Sequence, residues 1–122
     1  MARVAWNWYS GMVLVLEDNE AQTLLQSVNS IDSALDQILE PVLKAAKVIA
    51  WKAYLIKAIV KGIFLFRRWN IQAANRRRRG LYVTFSWLMF ASLFIPTPIT
   101  GPLPAVIINA TFNPLFVFIG PR

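Results

Sequence analysis

From residue 80 to residue 121 the chain carries no charged side chain, forty-two uncharged positions in a row rich in Leu, Ile, Val and Phe. Such a stretch has to be buried, in lipid or in protein. The prolines of residues 96–104, PTPITGPLP, forbid one continuous helix through it and leave two apolar arms, residues 81–95 and 105–119. Each arm, if helical, reaches about 22 Å at 1.5 Å per residue, short of the roughly 30 Å of hydrocarbon in a bilayer. The second arm also holds Asn109, Asn113 and Pro114, and a bilayer tolerates such irregularity only where protein covers it. The expectation is a C-terminal hydrophobic helical hairpin, or a single span followed by an irregular apolar arm packed on another protein surface. Asn109-Ala110-Thr111 matches a glycosylation acceptor, but its place inside an apolar arm discounts it.

The rest of the composition points the same way. Apolar residues make up 57% and charged residues 16%, with mean hydropathy +0.47, where soluble chains run at about 45–50% and about 25%. Charge is sorted along the chain: residues 1–40 hold all six acids and one base, a net of −5, and residues 41–122 hold the other twelve bases. One polypeptide therefore presents an acidic and a basic surface.

Residues 1–16 place Trp6, Trp8 and Tyr9 ahead of a short apolar run. Aromatic rings with a polar edge suit a water–lipid boundary, so the segment reads as an interfacial or docking element. A short strand or hairpin arm turning at Gly11 fits it equally well.

From residue 17 the pattern is helical. Leu24, Val28, Ile31, Leu35, Ile38 and Val42 recur at alternating four- and three-residue steps, a seam for a partner helix or a second copy. Glu17, Asp18 and Glu20 suit the helix N-terminus, and Pro41 predicts a kink or a fresh start. Beyond it, residues 41–69 form a basic amphipathic helix with Lys44, Lys47, Lys57 and Lys61 on one arc. A lysine at mid-bilayer costs roughly 2.5–3.5 kcal/mol, so this helix is expected to lie in the headgroup plane with Trp51, Tyr54 and Trp69 at the interface. Arg67 and Arg68, then the connector of residues 70–79 with Arg76, Arg77, Arg78 and Arg79, supply contacts to anionic lipid or to an acidic partner.

Together these elements predict an all-α, membrane-associated chain: a kinked amphipathic helix, acidic over residues 17–40 and basic over 41–69, then the uncharged anchor of residues 80–122. Cys and His are absent, which removes the usual zinc ligands, thiolate nucleophiles and imidazole bases. No cofactor, metal or catalytic residue is expected. The function class that follows is a small non-catalytic structural or accessory membrane subunit, anchoring or scaffolding a membrane protein complex or a membrane-containing virus particle. Its partners are anionic headgroups and other subunits or copies of itself, with nucleic acid disfavoured. Nothing at the start resembles a secretory signal, so the basic connector is placed on the side of synthesis, at an inner cellular membrane or an internal virion membrane. Two other classes compete: a membrane-permeabilising protein of holin or toxin type, and a basic nucleic-acid-binding protein with a hydrophobic oligomer core.

Overall fold

The computed structural model describes residues 2–87, 89 and 110–122. Of these, 56% are helical and 21% lie in strands, so the all-α expectation is overturned by a four-stranded antiparallel sheet. The chain opens with a hairpin of β1 (Arg3–Asn7) and β2 (Gly11–Leu16). Asn7 turns it by accepting the Tyr9 N–H on its side-chain oxygen at 2.8 Å. Gly11 takes φ +112°, where a Cβ would sit on the Phe85 carbonyl oxygen. Four helices follow: α1 (Asp18–Gln26), then a 3-10 turn (Val28–Ser30), α2 (Ile31–Ala45), α3 (Ala50–Phe66) and α4 (Arg68–Ala74). The sheet is completed by β3 (Leu81–Phe85) and β4 (Val117–Pro121) in the order β1-β2-β3-β4.

Register explains the uncharged run. Met12 stands opposite Trp6 and Phe85, and Leu14 opposite Val4 and Val83; Val83 and Phe85 in turn oppose Ile119 and Val117. Directly opposed residues share a face of the sheet, and this face packs with Leu24, Leu39, Leu43, Leu55, Ile59 and Ile63 in one core. Burying each such side chain stabilises the fold by about 1.5–3 kcal/mol. The described parts of both predicted arms are therefore strand, turn and short helical pieces, with Leu81, Val83, Phe85, Met89, Ala110, Thr111 and Val117 buried and Trp87, Phe112, Leu115 and Phe118 exposed. Short apolar runs fit a strand as well as a helix; here half-buried Tyr82 and Thr84 alternate with buried Leu81, Val83 and Phe85.

Among the described residues no helix is long and apolar enough to cross a membrane. This corrects the spanning hairpin and the membrane-associated architecture built on it. The two arms do return on each other, but as paired strands, extended by the Arg122 N–H donating to the Gly80 carbonyl at 3.4 Å. The proline-rich residues 96–104 and Asn109 lie outside the described residues. Asn113 finds its partners within the chain: its side-chain oxygen accepts the Leu115 N–H at 3.0 Å, and its carbonyl accepts those of Phe116 and Val117.

Pro41 does not interrupt α2, which runs through it. The carbonyl it leaves without a helical donor belongs to Gln37, an exposed residue that water can satisfy. The break falls later, at residues 46–49. Lys47 adopts φ +59°, its N–H donates to the Lys44 carbonyl, and the Val48 N–H reaches back to that of Leu43, both at 3.0 Å. This is a Schellman stop, with lysine where glycine is usual. It turns α3 back against α2, and the acids of one meet the lysines of the other.

Candidate functional site

The cations expected at a partner surface divide into two sets. Lys61 pairs with Asp32 at 3.0 Å, Lys57 with Asp36 at 3.1 Å and Glu40 at 3.5 Å, and Lys44 with Glu40 at 3.9 Å. The hydrogen bond to Asp36 raises the Lys57 pKa above its ordinary value. Arg67 donates to the Thr111 carbonyl at 3.1 Å, and its half-buried position lowers its pKa by desolvation. With the Asn70 amide oriented to suit its neighbours, that side-chain oxygen accepts from Arg67 Nε and Nη2 at 3.0 and 3.1 Å. Arg68 donates to the Leu25 carbonyl at 2.8 Å and so caps the end of α1. Four of these side chains tie separate elements together, whereas Lys44 pairs within α2.

The other set is outward-facing. Lys47 and Arg76, Arg77, Arg78 and Arg79 are exposed, and among the described residues no carboxylate forms an ion pair with any of the five. The arginine loop is pinned from below. Asn75, only 4% exposed, ends α4 with its N–H on the Ile71 carbonyl at 2.9 Å. Its side chain donates to Asp18 Oδ1 at 2.7 Å and accepts the Gly80 N–H at 2.9 Å. Arg78, at φ +58°, donates its N–H back to the Asn75 carbonyl at 3.0 Å. Gly80, at φ +92°, passes so close to the Leu16 carbonyl that a Cβ would overlap it. A cleft of about 640 Å³ results, lined by the arginines 76, 77, 79 and 122 and by the small apolar surfaces of Ala73, Ala74, Gly80 and Pro121.

The opposite end of the sheet is aromatic. Trp6 and Trp87 stack with ring centroids 6.0 Å apart and planes 22° from parallel, and Trp8 and Tyr9 stack at 3.8 Å. Trp87 Nε1 donates to the Trp8 carbonyl at 2.7 Å, joining the two pairs. The four rings remain 55%, 76%, 77% and 43% exposed for Trp6, Trp8, Tyr9 and Trp87. Trp6 also lines a cleft of about 130 Å³ with Lys47, Ile49 and Lys52, and Lys52 Nζ lies 5.5 Å from the Trp51 ring.

No known protein family, curated protein or solved structure matches the chain. The functional reading rests on these two ends alone.

Of the residues singled out in the sequence, the aromatics Trp6, Trp8, Trp51, Tyr54 and Trp69 are all exposed. They are carried by three elements, the hairpin, α3 and α4. The seam is covered by the chain's own core: Leu24, Ile31, Leu35 and Val42 are buried, Ile38 packs at the margin, and Val28 is half exposed. Sequence reasoning missed Trp87 and Arg122 as members of the two ends, since only the pairing of β3 with β2 and β4 brings them there.

Proposed function

We propose that the protein is a non-catalytic accessory subunit that docks onto a larger protein assembly through the aromatic end of its sheet. The observation that carries this reading is the four-ring cluster of Trp6, Trp8, Tyr9 and Trp87, held in fixed stacking geometry while mostly in water. A contiguous aromatic patch of this kind marks an interaction site, whereas apolar residues scattered singly do not. Trp and Tyr anchors supply most of the binding energy in many interfaces, and rings already stacked lose little entropy on docking. The absence of Cys and His, and the use of Asp32, Asp36 and Glu40 in ion pairs with lysines, support a role in binding over one in catalysis.

The test is gel filtration of a lysate from the host that makes the protein. The wild-type chain is expected to elute well above its 13.9 kDa mass, and a Trp6→Ser, Trp8→Ser, Tyr9→Ser triple variant with unchanged melting temperature is expected to elute as the free chain. A wild-type protein eluting alone, or a triple variant that stays in the complex, overturns the reading.

A further inference from the structure

We propose that the arginine cleft binds the sugar–phosphate backbone of a single-stranded nucleic acid, with Trp69 as a stacking platform for one of its bases. Three observations converge on this site. The first is the concentration of charge. The three acids of α2 are matched by Lys44, Lys57 and Lys61, so the net charge of +7 belongs to the rest of the surface, where Arg76, Arg77, Arg79 and Arg122 line one recess. Two carboxylates come near this end, Asp18 through its bond to Asn75 and Glu17 through its interaction with Arg122, and neither is among the residues lining the cleft.

The second observation is preorganisation. Four successive guanidinium groups repel one another and would spread apart on a floppy linker. Here the buried Asn75 holds both ends of the loop, through its bonds to Asp18 and to the Gly80 N–H. The planar, five-donor guanidinium matches phosphate oxygens in a bidentate manner, and neutralising phosphates releases their counterions. The cleft of about 640 Å³ falls within the range of ligand sites, about 300–1,000 Å³.

The third is Trp69. It lies one turn before Ala73 on the same face of α4; Ala73 lines the cleft and Trp69 does not, so the ring offers its platform outside the recess, to a base leaving it. The Trp69 ring is 81% exposed, the most exposed large apolar side chain among the described residues. A cationic groove that tracks phosphates beside an aromatic ring is how proteins hold single strands without reading sequence. A duplex offers that ring no unpaired base.

The experiment is fluorescence anisotropy of a labelled twelve-nucleotide oligo(dT) titrated with the full chain. Binding is expected at 50 mM NaCl and should weaken toward 200 mM, log K falling by about 0.7 per phosphate neutralised for each unit of log salt. Arg77→Gln with Arg79→Gln should weaken it at least about tenfold and flatten that slope by about 1.4. Trp69→Ala should weaken it about tenfold with the slope unchanged, a loss in the range known for one base stacked on an aromatic ring. Trp8→Ser should leave it unaltered, which separates this site from the aromatic end. Circular dichroism melts confirm that each variant folds. Absence of binding at 50 mM salt, or equal binding by the double arginine variant, overturns the site. Equal binding by Trp69→Ala, or tighter binding of a duplex of the same length, overturns the single-stranded assignment. Sedimentation with vesicles containing phosphatidylserine but no oligonucleotide binding assigns the cleft to lipid headgroups and likewise overturns the proposal.

Discussion

Asn75 joins the end of α4 to Asp18 at the start of α1 by a 2.7 Å side-chain hydrogen bond, and with its other amide atom accepts the Gly80 N–H at 2.9 Å. One buried amide thus ties a helix start, a helix end and the entry to β3. Asn75→Ala leaves the buried Gly80 N–H without its acceptor, and stranding such a group costs about 1–3 kcal/mol. The expected outcome is a loss of that size in urea unfolding. It should come with faster proteolysis between Arg76 and Arg79, because the loop loses both anchors. A stability within about 0.5 kcal/mol of wild type, the range of ordinary surface substitutions, would show that the amide is dispensable.

Lys47 occupies a left-handed position that costs a residue with a Cβ about 1–2 kcal/mol and costs glycine almost nothing. The Lys47 and Val48 N–H bonds that stop α2 use backbone only and survive substitution. Lys47→Gly is therefore expected to stabilise the protein, by about 0.5–1 kcal/mol once the extra freedom of glycine in the unfolded chain is set against the relieved strain. Lys47→Val at the same place should lower stability by a larger amount. A thermal melt in which the glycine variant unfolds below wild type would contradict the Schellman assignment.

The α2–α3 pair and the sheet differ in how far the sequence discloses them. Asp32, Asp36 and Glu40 lie on one helix and Lys57 and Lys61 on the next, so sorted charge and the apolar rhythm from Leu24 to Val42 are local signals that survive folding. The β1–β2 hairpin was open to a strand reading at Gly11, but the β2–β3 pairing has no such signal. Met12 pairs with Phe85 across most of the chain, and nothing local to residues 81–85 separates a buried strand from a stretch of lipid-facing helix except the alternation of Tyr82 and Thr84 with larger apolar neighbours. Pro41 misled for a related reason. Its helix-breaking tendency is real, but the carbonyl it frees belongs to exposed Gln37 and α2 continues through it. At the candidate site, the Arg76 to Arg79 run was plain to read. Its partner Arg122, by contrast, arrives only through the β3–β4 register.

The Lys57 ammonium, bonded to Asp36 and close to Glu40, has a pKa raised above that of an unfolded lysine. A raised folded-state value means the charged form is favoured by folding. Its contribution is therefore complete below the unfolded lysine value, near about 10.4, and is lost as pH climbs through the folded value. Stability should fall as pH rises above the unfolded lysine value, more steeply in the wild type than in Lys57→Met, when urea midpoints are compared across that alkaline window. The two proteins should differ little in slope between pH 6 and pH 9. Parallel curves through the alkaline window would remove Lys57 from the list of groups that hold α3 to α2.

Gly62 lies in the middle of α3, where glycine weakens a helix by about 0.8–1.0 kcal/mol relative to alanine, so its presence asks for a reason. That reason is Thr111: a Cβ on Gly62 would lie 2.7 Å from Thr111 Oγ1 and 2.9 Å from its Cγ2. Thr111 is buried at 2% exposure, and the neighbouring Arg67 holds its carbonyl, so a short β-branched side chain has little room to swing away. Gly62→Ala gains helix propensity but forces the segment of residues 110–112 off α3. That segment leads directly into β4, and the Phe66–Phe112 ring contact at 6.1 Å goes with it. Overpacking of this kind costs about 1–3 kcal/mol, enough to outweigh the propensity gain. Gly62→Ala should therefore lower the melting temperature, and Gly62→Ala combined with Thr111→Ala should recover part of the loss because the clashing atoms are gone. If Gly62→Ala alone raises the melting temperature, the close approach of residues 110–112 to α3 is wrong, and with it the route by which the chain reaches its fourth strand.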